Sequence, residues 1–81
     1  MKFIATFFSH FGAIRFEKNC RDKNVPAKLM PVPRTLSSSC GTCVYYESND
    51  NNVEALITGE VEQIVEVSDD GYKEIYRAEN S

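Results

Sequence analysis

A short apolar stretch followed at once by an amphipathic stretch constrains the fold of this chain more than any other feature of its sequence. Residues 3–8 read Phe-Ile-Ala-Thr-Phe-Phe, a β-branched and aromatic composition that is typical of a buried central strand. Ser9 is a suitable N-cap for a helix over residues 10–23, whose apolar stripe contains Ala13, Phe16 and Cys20. Asn24 and Pro26 end this helix. The chain therefore begins with a strand and a helix that packs on it.

Two further strands are predicted in the middle of the chain. Residues 25–32 form the first, and Pro31 and Pro33 place it at the edge of a sheet or end it early because proline donates no ladder hydrogen bond. Residues 33–41 are rich in hydroxyl side chains and form a loop. Residues 42–47 form the next strand.

The last third of the chain has two interpretations. Its apolar residues recur at helical spacing from Val53 to Val65, which predicts a second helix with outward-facing carboxylates at Glu54, Glu60 and Glu62. Gly59 would cost that helix up to about 1 kcal/mol relative to alanine. A turn and a final strand over residues 72–78 would follow. The competing interpretation is a hairpin that pairs residues 61–67 with 72–78 around Asp70-Gly71. We favour the helix.

The resulting order β-α-β-β-α-β predicts an α+β domain that spans residues 1–81. It fits the ferredoxin-like arrangement, a four-stranded antiparallel sheet with both helices on one face. Because both helices pack on one face, the second face of the sheet stays open in this prediction. That face is either solvated or a place where two copies form a homodimer.

Composition and charge exclude several classes of protein. The chain is 42% apolar and 26% charged, which is globular rather than disordered. It has no apolar run near 18 residues, which predicts no membrane span. The start of the chain has one lysine, a short apolar stretch and no small-residue cleavage site after it, so we expect no signal peptide and a cytoplasmic location. The net charge of −3 argues against nucleic-acid binding.

The charge is divided unevenly along the chain. Residues 1–46 contain seven Lys and Arg against two carboxylates, a net charge of +5, whereas residues 47–81 contain two against ten, a net charge of −8. The two halves attract each other in the fold, or they form functional surfaces. The functional interpretation is an anion-seeking surface around Lys28 and Arg34, or an acidic docking face.

The segment Ser37-Ser38-Ser39-Cys40-Gly41-Thr42-Cys43 is the best candidate for chemistry. Cys40 lies in a loop beside Gly41, where the hydroxyls of Ser38 and Ser39, loop N–H groups and the charge of Arg34 are available to stabilise a thiolate. We predict that Cys40 is a sulfur nucleophile or acceptor. The alternative is a small residue packed under a serine-rich loop.

Cys43 completes a CxxC motif with Cys40, but this motif opens a predicted strand rather than a helix. Residues three apart in a strand point to opposite faces about 10 Å apart, whereas a disulfide needs Cα atoms within about 7 Å. The pair can close only if Gly41-Thr42 forms a turn. Cys43 is thus either a resolving thiol or a core residue.

We expect no metal and no cofactor. A structural zinc site needs four ligands, and the candidates other than carboxylates are His10, Cys20, Cys40 and Cys43. Cys20 lies on the apolar stripe of its helix, where cysteine usually acts as a small hydrophobe. His10 is either a base or charge partner for Cys40 or an exposed residue of the first helical turn.

The chain resembles the DUF3343 family of small bacterial selenium/sulfur carrier proteins. The resemblance covers residues 3–47, with a weaker echo at 71–77, and rests on Phe3-Ile4-Ala5-Thr6-Phe7, Ala13, Glu17-Lys18, Val32-Pro33-Arg34 and Ser38-Ser39-Cys40-Gly41. It implies that Cys40 holds sulfur or selenium as a persulfide or selenosulfide, and Arg34 matches the family's arginine. The chain departs from the family in its longer, more acidic segment 48–67 and in its additional Cys43.

These observations support three hypotheses. The first is a sulfur or selenium carrier that takes its cargo on Cys40 from a protein donor and passes it to a protein acceptor, as a relay component rather than a stand-alone enzyme. The second is an interaction or regulatory module that binds a protein partner through the open sheet face. The third is a thiol–disulfide switch between Cys40 and Cys43. A solvent-reachable Cys40 with a depressed pKa distinguishes the first from the second.

Overall fold

The computed structural model describes residues 1–49 and 56–79. Within these residues the chain forms one helix and five strands, in the order β1 (Lys2–Phe7), α1 (His10–Asp22), β2 (Ala27–Pro31), β3 (Thr42–Glu47), β4 (Val61–Ser68) and β5 (Gly71–Arg77). All neighbouring strands are antiparallel, and their order across the sheet is β2-β3-β1-β4-β5. The α+β class is confirmed.

The predicted central strand is β1, which pairs with β3 on one side and β4 on the other. Its residues from Phe3 to Phe7 are all buried. Phe3, Ala5 and Phe7 face the main core, where the Phe7 ring packs on Phe16 of α1 at 5.2 Å between centroids, and Phe16 in turn packs on Tyr46 of β3 at 5.4 Å. This aromatic chain joins the helix to the sheet.

The helix begins and ends close to the predicted residues. The Ser9 hydroxyl accepts a hydrogen bond from the Gly12 N–H at 3.2 Å, which satisfies one of the free donors of the first turn. The predicted stripe of Ala13, Phe16 and Cys20 is buried. Asn24 follows the helix with a φ of 59°, the left-handed conformation expected of a residue that stops a helix.

The predicted second helix is wrong, and with it the ferredoxin-like arrangement of four strands and two helices. Residues 61–65 instead belong to β4, which forms a hairpin with β5 through a turn at Gly71, where φ is 123°. The competing hairpin interpretation is correct. Residues 53–55 of the apolar pattern lie outside the described residues.

A β-bulge explains why this strand resembles a helix in sequence. Phe7 pairs with Val61 and Thr6 pairs with Gln63, so one residue of β4 between them has no partner on β1. The bulge places Val61 and Ile64, three residues apart, on the same core face. Val65 points to the opposite face of the sheet. β4 therefore has apolar residues on both of its faces, and together they reproduce the spacing that is typical of an amphipathic helix.

The second face of the sheet is less open than predicted. Ile4, Cys43 and Val65 form a smaller buried cluster there, and the segment between β2 and β3 packs on it through Val32 and Leu36. β2 lies at the sheet edge and ends at Pro31, as the two prolines predict. Within the described part of the chain, no helix is long and apolar enough to cross a bilayer.

We expect Gly12→Ala to destabilise the protein. A Cβ atom at this buried helical position would lie 2.7 Å from Glu60 Cβ and 2.8 Å from Glu60 Oε2. Overpacking of this kind costs about 1–3 kcal/mol, which outweighs the gain of about 1 kcal/mol in helix propensity. Urea unfolding measures the difference.

Gly59→Ala is the matched control, because an added Cβ at Gly59 meets no atom within 4 Å. Its free energy of unfolding should stay within about 0.5 kcal/mol of the wild type. A Gly12→Ala protein at least as stable as the wild type would show that α1 does not depend on this close approach.

Candidate functional site

The loop that carries Cys40 crosses the end of the sheet at which β1 ends and β3 and β4 begin. Its two ends are joined by a hydrogen bond from the Val32 N–H to the Gly41 carbonyl at 3.1 Å. α1 also begins at this end of the sheet, directly after β1. Residues from four parts of the chain therefore meet around the loop.

Cys40 is half-buried, and its sulfur accepts a hydrogen bond from the backbone N–H of Thr42 at 3.4 Å. Its own N–H donates to the Ser38 hydroxyl at 3.2 Å. A hydrogen bond donated to sulfur stabilises the thiolate more than the thiol, because the charged form is the stronger acceptor. The local geometry therefore supports a nucleophilic sulfur at this position.

The hydroxyls of Ser38 and Ser39, predicted to support the thiolate, are hydrogen-bonded to a carboxylate in the structure. The hydroxyls of Ser38 and Ser39 donate to the two carboxylate oxygens of Glu62 at 3.1 and 2.8 Å, and the Ser39 N–H donates to the same carboxylate at 3.0 Å. The Ser38 hydroxyl also lies 3.3 Å from the Phe7 carbonyl. These serines hold the loop to the sheet.

Glu62, which the helical spacing predicts on the outward face of a helix, instead contacts the cysteine loop and is absent from the site residues predicted from sequence. It occupies the bulge of β4, the position without a partner on β1. A bulge redirects its side chain and increases the local twist of the strand. No local signal in the sequence identifies this role, because it depends on the register between β1 and β4.

The other predicted site residues occupy different positions around the loop. His10 Nδ1 is hydrogen-bonded to the Thr42 side-chain hydroxyl at 2.9 Å, so His10 reaches Cys40 through the residue whose N–H contacts the sulfur. Gly41 is exposed, and an added Cβ there meets nothing within 4 Å. Arg34 is exposed and has no hydrogen-bond or ion-pair partner among residues 1–49 and 56–79.

Cys43 and Cys20 are buried thiols on opposite faces of the sheet. Cys43 belongs to the smaller cluster, and its Sγ lies 3.6 Å from the Pro31 carbonyl. Burial, reinforced by the proximity of Cys40, raises the pKa of Cys43 to about 11. Burial and the charge of Glu17 raise the pKa of Cys20 to about 11. All three cysteines are unpaired.

The zinc ligands considered from sequence do not converge. Cys20 packs in the main core beneath α1, whereas Cys43 packs on the other face of the sheet. Across the residues that the structure describes, no three His, Cys, Asp or Glu side chains are grouped so that they could hold a metal ion.

Glu62 should make the stability of the protein depend on pH. Burial alone would raise the pKa of Glu62, but the hydrogen bonds from Ser39 and Ser38 and the charge of Arg77 together hold it below its usual value. A carboxyl group with a lowered native pKa stabilises the fold above its unfolded pKa of about 4.3, and this stabilisation is lost as the pH falls through the native pKa.

The comparison of the wild type with Glu62→Gln tests this dependence. We expect the free energy of unfolding of the wild type to exceed that of the variant by about 1 kcal/mol at neutral pH. The difference should shrink below about pH 4. Urea unfolding at several pH values measures it, and a difference that is constant from pH 7 to pH 3 would contradict the assignment.

Comparison with known proteins identifies the family of the chain. Residues 2–77 match the family described as "Putative Se/S carrier protein-like". No curated protein and no solved structure matches the chain. The match spans the sheet, the helix and the cysteine loop, so the chain belongs to this family of Se/S carrier-like proteins.

Proposed function

We propose that the protein carries sulfur or selenium on Cys40 as a persulfide or selenosulfide. The observation that carries this proposal is the hydrogen bond from the Thr42 N–H to Cys40 Sγ, which favours the thiolate that such chemistry requires. Membership of the Se/S carrier-like family supports the same assignment. Cys40 is also half-buried, whereas Cys20 and Cys43 are fully buried.

In the loading step, the Cys40 thiolate attacks the terminal sulfur of a persulfide on a donor protein. The donor's S–S bond breaks, its cysteine leaves as a thiolate, and a new S–S bond forms on Cys40. No net oxidation takes place, because the transferred sulfur stays at the same oxidation level. Selenium is carried in the same way, with an S–Se bond on Cys40.

Release to a protein acceptor reverses this exchange. A nucleophile on the acceptor attacks the terminal sulfur or selenium, and Cys40 leaves as a thiolate. Release by Cys43 is a different reaction, because its thiolate would attack Cys40 Sγ, expel hydrosulfide or hydroselenide and form a disulfide that a thiol reductant must then reduce. The burial and raised pKa of Cys43 do not favour this route without a local opening of the loop.

Two further groups are assigned supporting roles. Arg34 lies in the same loop as Cys40 and is not engaged in any ion pair with the described residues, so its charge is available to an anionic cargo. His10 orients Thr42 through their hydrogen bond. The exchange requires reduced thiols, which suits the cytoplasm.

The rate of alkylation as a function of pH tests the first premise of this proposal. Mass spectrometry of each cysteine in the native protein should show that Cys40 reacts fastest, because the Thr42 N–H donates to its sulfur and Cys40 is the least buried of the three thiols. Cys20 and Cys43 should react only after unfolding, because both are fully buried. A Cys40 that reacts no faster than the two buried cysteines would remove the chemical basis of the carrier function.

A persulfide-transfer assay tests the function itself. Incubation with a persulfide donor should add 32 Da at Cys40, as expected for one sulfur atom, and Cys40→Ser should abolish this addition. Cys43→Ser should accept sulfur on Cys40 as the wild type does. A slower release of that sulfur from this variant would identify a role of Cys43 in release. Cys20→Ser is the matched control for the loss of a buried thiol on the other face.

The alternative function, a module that binds a protein partner, is favoured by a different observation. Phe11 and Ile14 of α1 are 60% and 42% exposed, and the guanidinium of Arg15 lies 4.7 Å above the Phe11 ring. If Cys40 proves unreactive, this helix surface replaces the partly covered sheet face as the better candidate for a binding surface. Phe11→Ser would then abolish partner binding and leave Cys40 alkylation unchanged.

A further inference from the structure

We propose that Glu62 is a positioning residue for Cys40. Its carboxylate latches the segment Ser38-Ser39 to the sheet, and this latch holds the Cys40 sulfur against the Thr42 N–H. The inference deepens the proposed function, on which its significance for sulfur transfer rests. The contacts themselves are independent of any cargo.

The latch originates in the irregular pairing of β4 with β1. Glu62 is the extra residue of the β-bulge opposite the end of β1. Phe7 borders this bulge on β1, and its carbonyl lies 3.3 Å from the Ser38 hydroxyl. The bulge thus presents a carboxylate and a backbone carbonyl, two acceptors, to the loop.

The donors of the loop match the acceptor oxygens of Glu62. Glu62 Oε1 accepts from the Ser38 hydroxyl and the Ser39 N–H, and Oε2 accepts from the Ser39 hydroxyl. An ionised carboxylate accepts hydrogen bonds only, so it suits three converging donors. Hydrogen bonds to a charged acceptor are about twice as strong as neutral ones.

The Ser38 hydroxyl connects the latch to Cys40. The Ser38 hydroxyl, held by Glu62, also accepts from the Cys40 N–H at 3.2 Å. Cys40 is therefore fixed on the side of its backbone N–H, while the Thr42 N–H contacts its sulfur at 3.4 Å. Without the latch, rotation of the Cys40 backbone would separate the sulfur from that donor.

The charge of Glu62 acts in the opposite direction from its geometry. A carboxylate near a thiolate disfavours the thiolate, whereas a well-placed N–H favours it. Glutamine separates these two effects, because its carbonyl oxygen can accept the two hydrogen bonds of Oε1 and its amide can donate to the Ser39 hydroxyl. Alanine removes the latch and the charge together.

The experiment compares Glu62→Ala and Glu62→Gln by the pH midpoint of Cys40 alkylation and by amide exchange of Thr42. In Glu62→Ala we expect the midpoint to rise by about half a pH unit or more, and Thr42 exchange to become several-fold faster. In Glu62→Gln the midpoint should equal the wild-type value or lie below it. Glu66→Ala is the matched control, since it removes a carboxylate from the same strand, four residues away from the latch.

The outcomes are separable. Unchanged Cys40 reactivity and Thr42 exchange in Glu62→Ala would overturn the proposal, and so would a Glu62→Gln variant that behaves like Glu62→Ala. If Glu62→Ala fails to fold, Ser38→Ala replaces it, because this variant removes the hydroxyl that joins Glu62 to the Cys40 N–H, and the same midpoint shift is expected. If Cys40 accepts no sulfur but these shifts occur, the latch stands and the carrier function fails.

Discussion

The burial of β1 on both of its faces is the constraint on which the rest of the structure depends. This strand pairs with β3 and β4, and it contributes Phe3, Ala5 and Phe7 to the core beneath α1. Ile4 contributes to the smaller cluster on the other face. Because β1 leads directly into α1, its C-terminal end also sets where the helix begins and where the cysteine loop can attach.

The candidate site is built from an interruption of that regular pairing. In a continuous β1–β4 ladder every residue of β4 would have a partner on β1. The bulge leaves Glu62 without one and turns its side chain toward the loop. The serines, the carboxylate and the Thr42 N–H then form one connected set of hydrogen bonds around Cys40. Cys40 is only half-buried at this site, which is what the proposed exchange of sulfur between two proteins requires.

The cysteines show how position determines chemistry. Cys20 and Cys43 face the two cores and have pKa values raised by burial. Cys40 differs because it precedes β3 in a loop, where the Thr42 N–H donates to its sulfur. The spacing of a CxxC motif therefore does not by itself indicate a pair of reactive thiols, because here the second cysteine packs in the buried cluster on one face of the sheet.

The sequence by itself determined the elements whose signals are local. The apolar run of β1, the Ser9 cap, the left-handed Asn24, the edge prolines of β2 and the loop position of Cys40 all follow from residues close together in the chain. Only the tertiary structure decided between helix and hairpin for residues 61–65, because a bulge and burial on both faces reproduce helical spacing. The register between β1 and β4 also decided which groups Glu62 contacts. Ser39 and Ser38 are 23 and 24 residues away in the chain, so the carboxylate reaches them only when β4 pairs with β1.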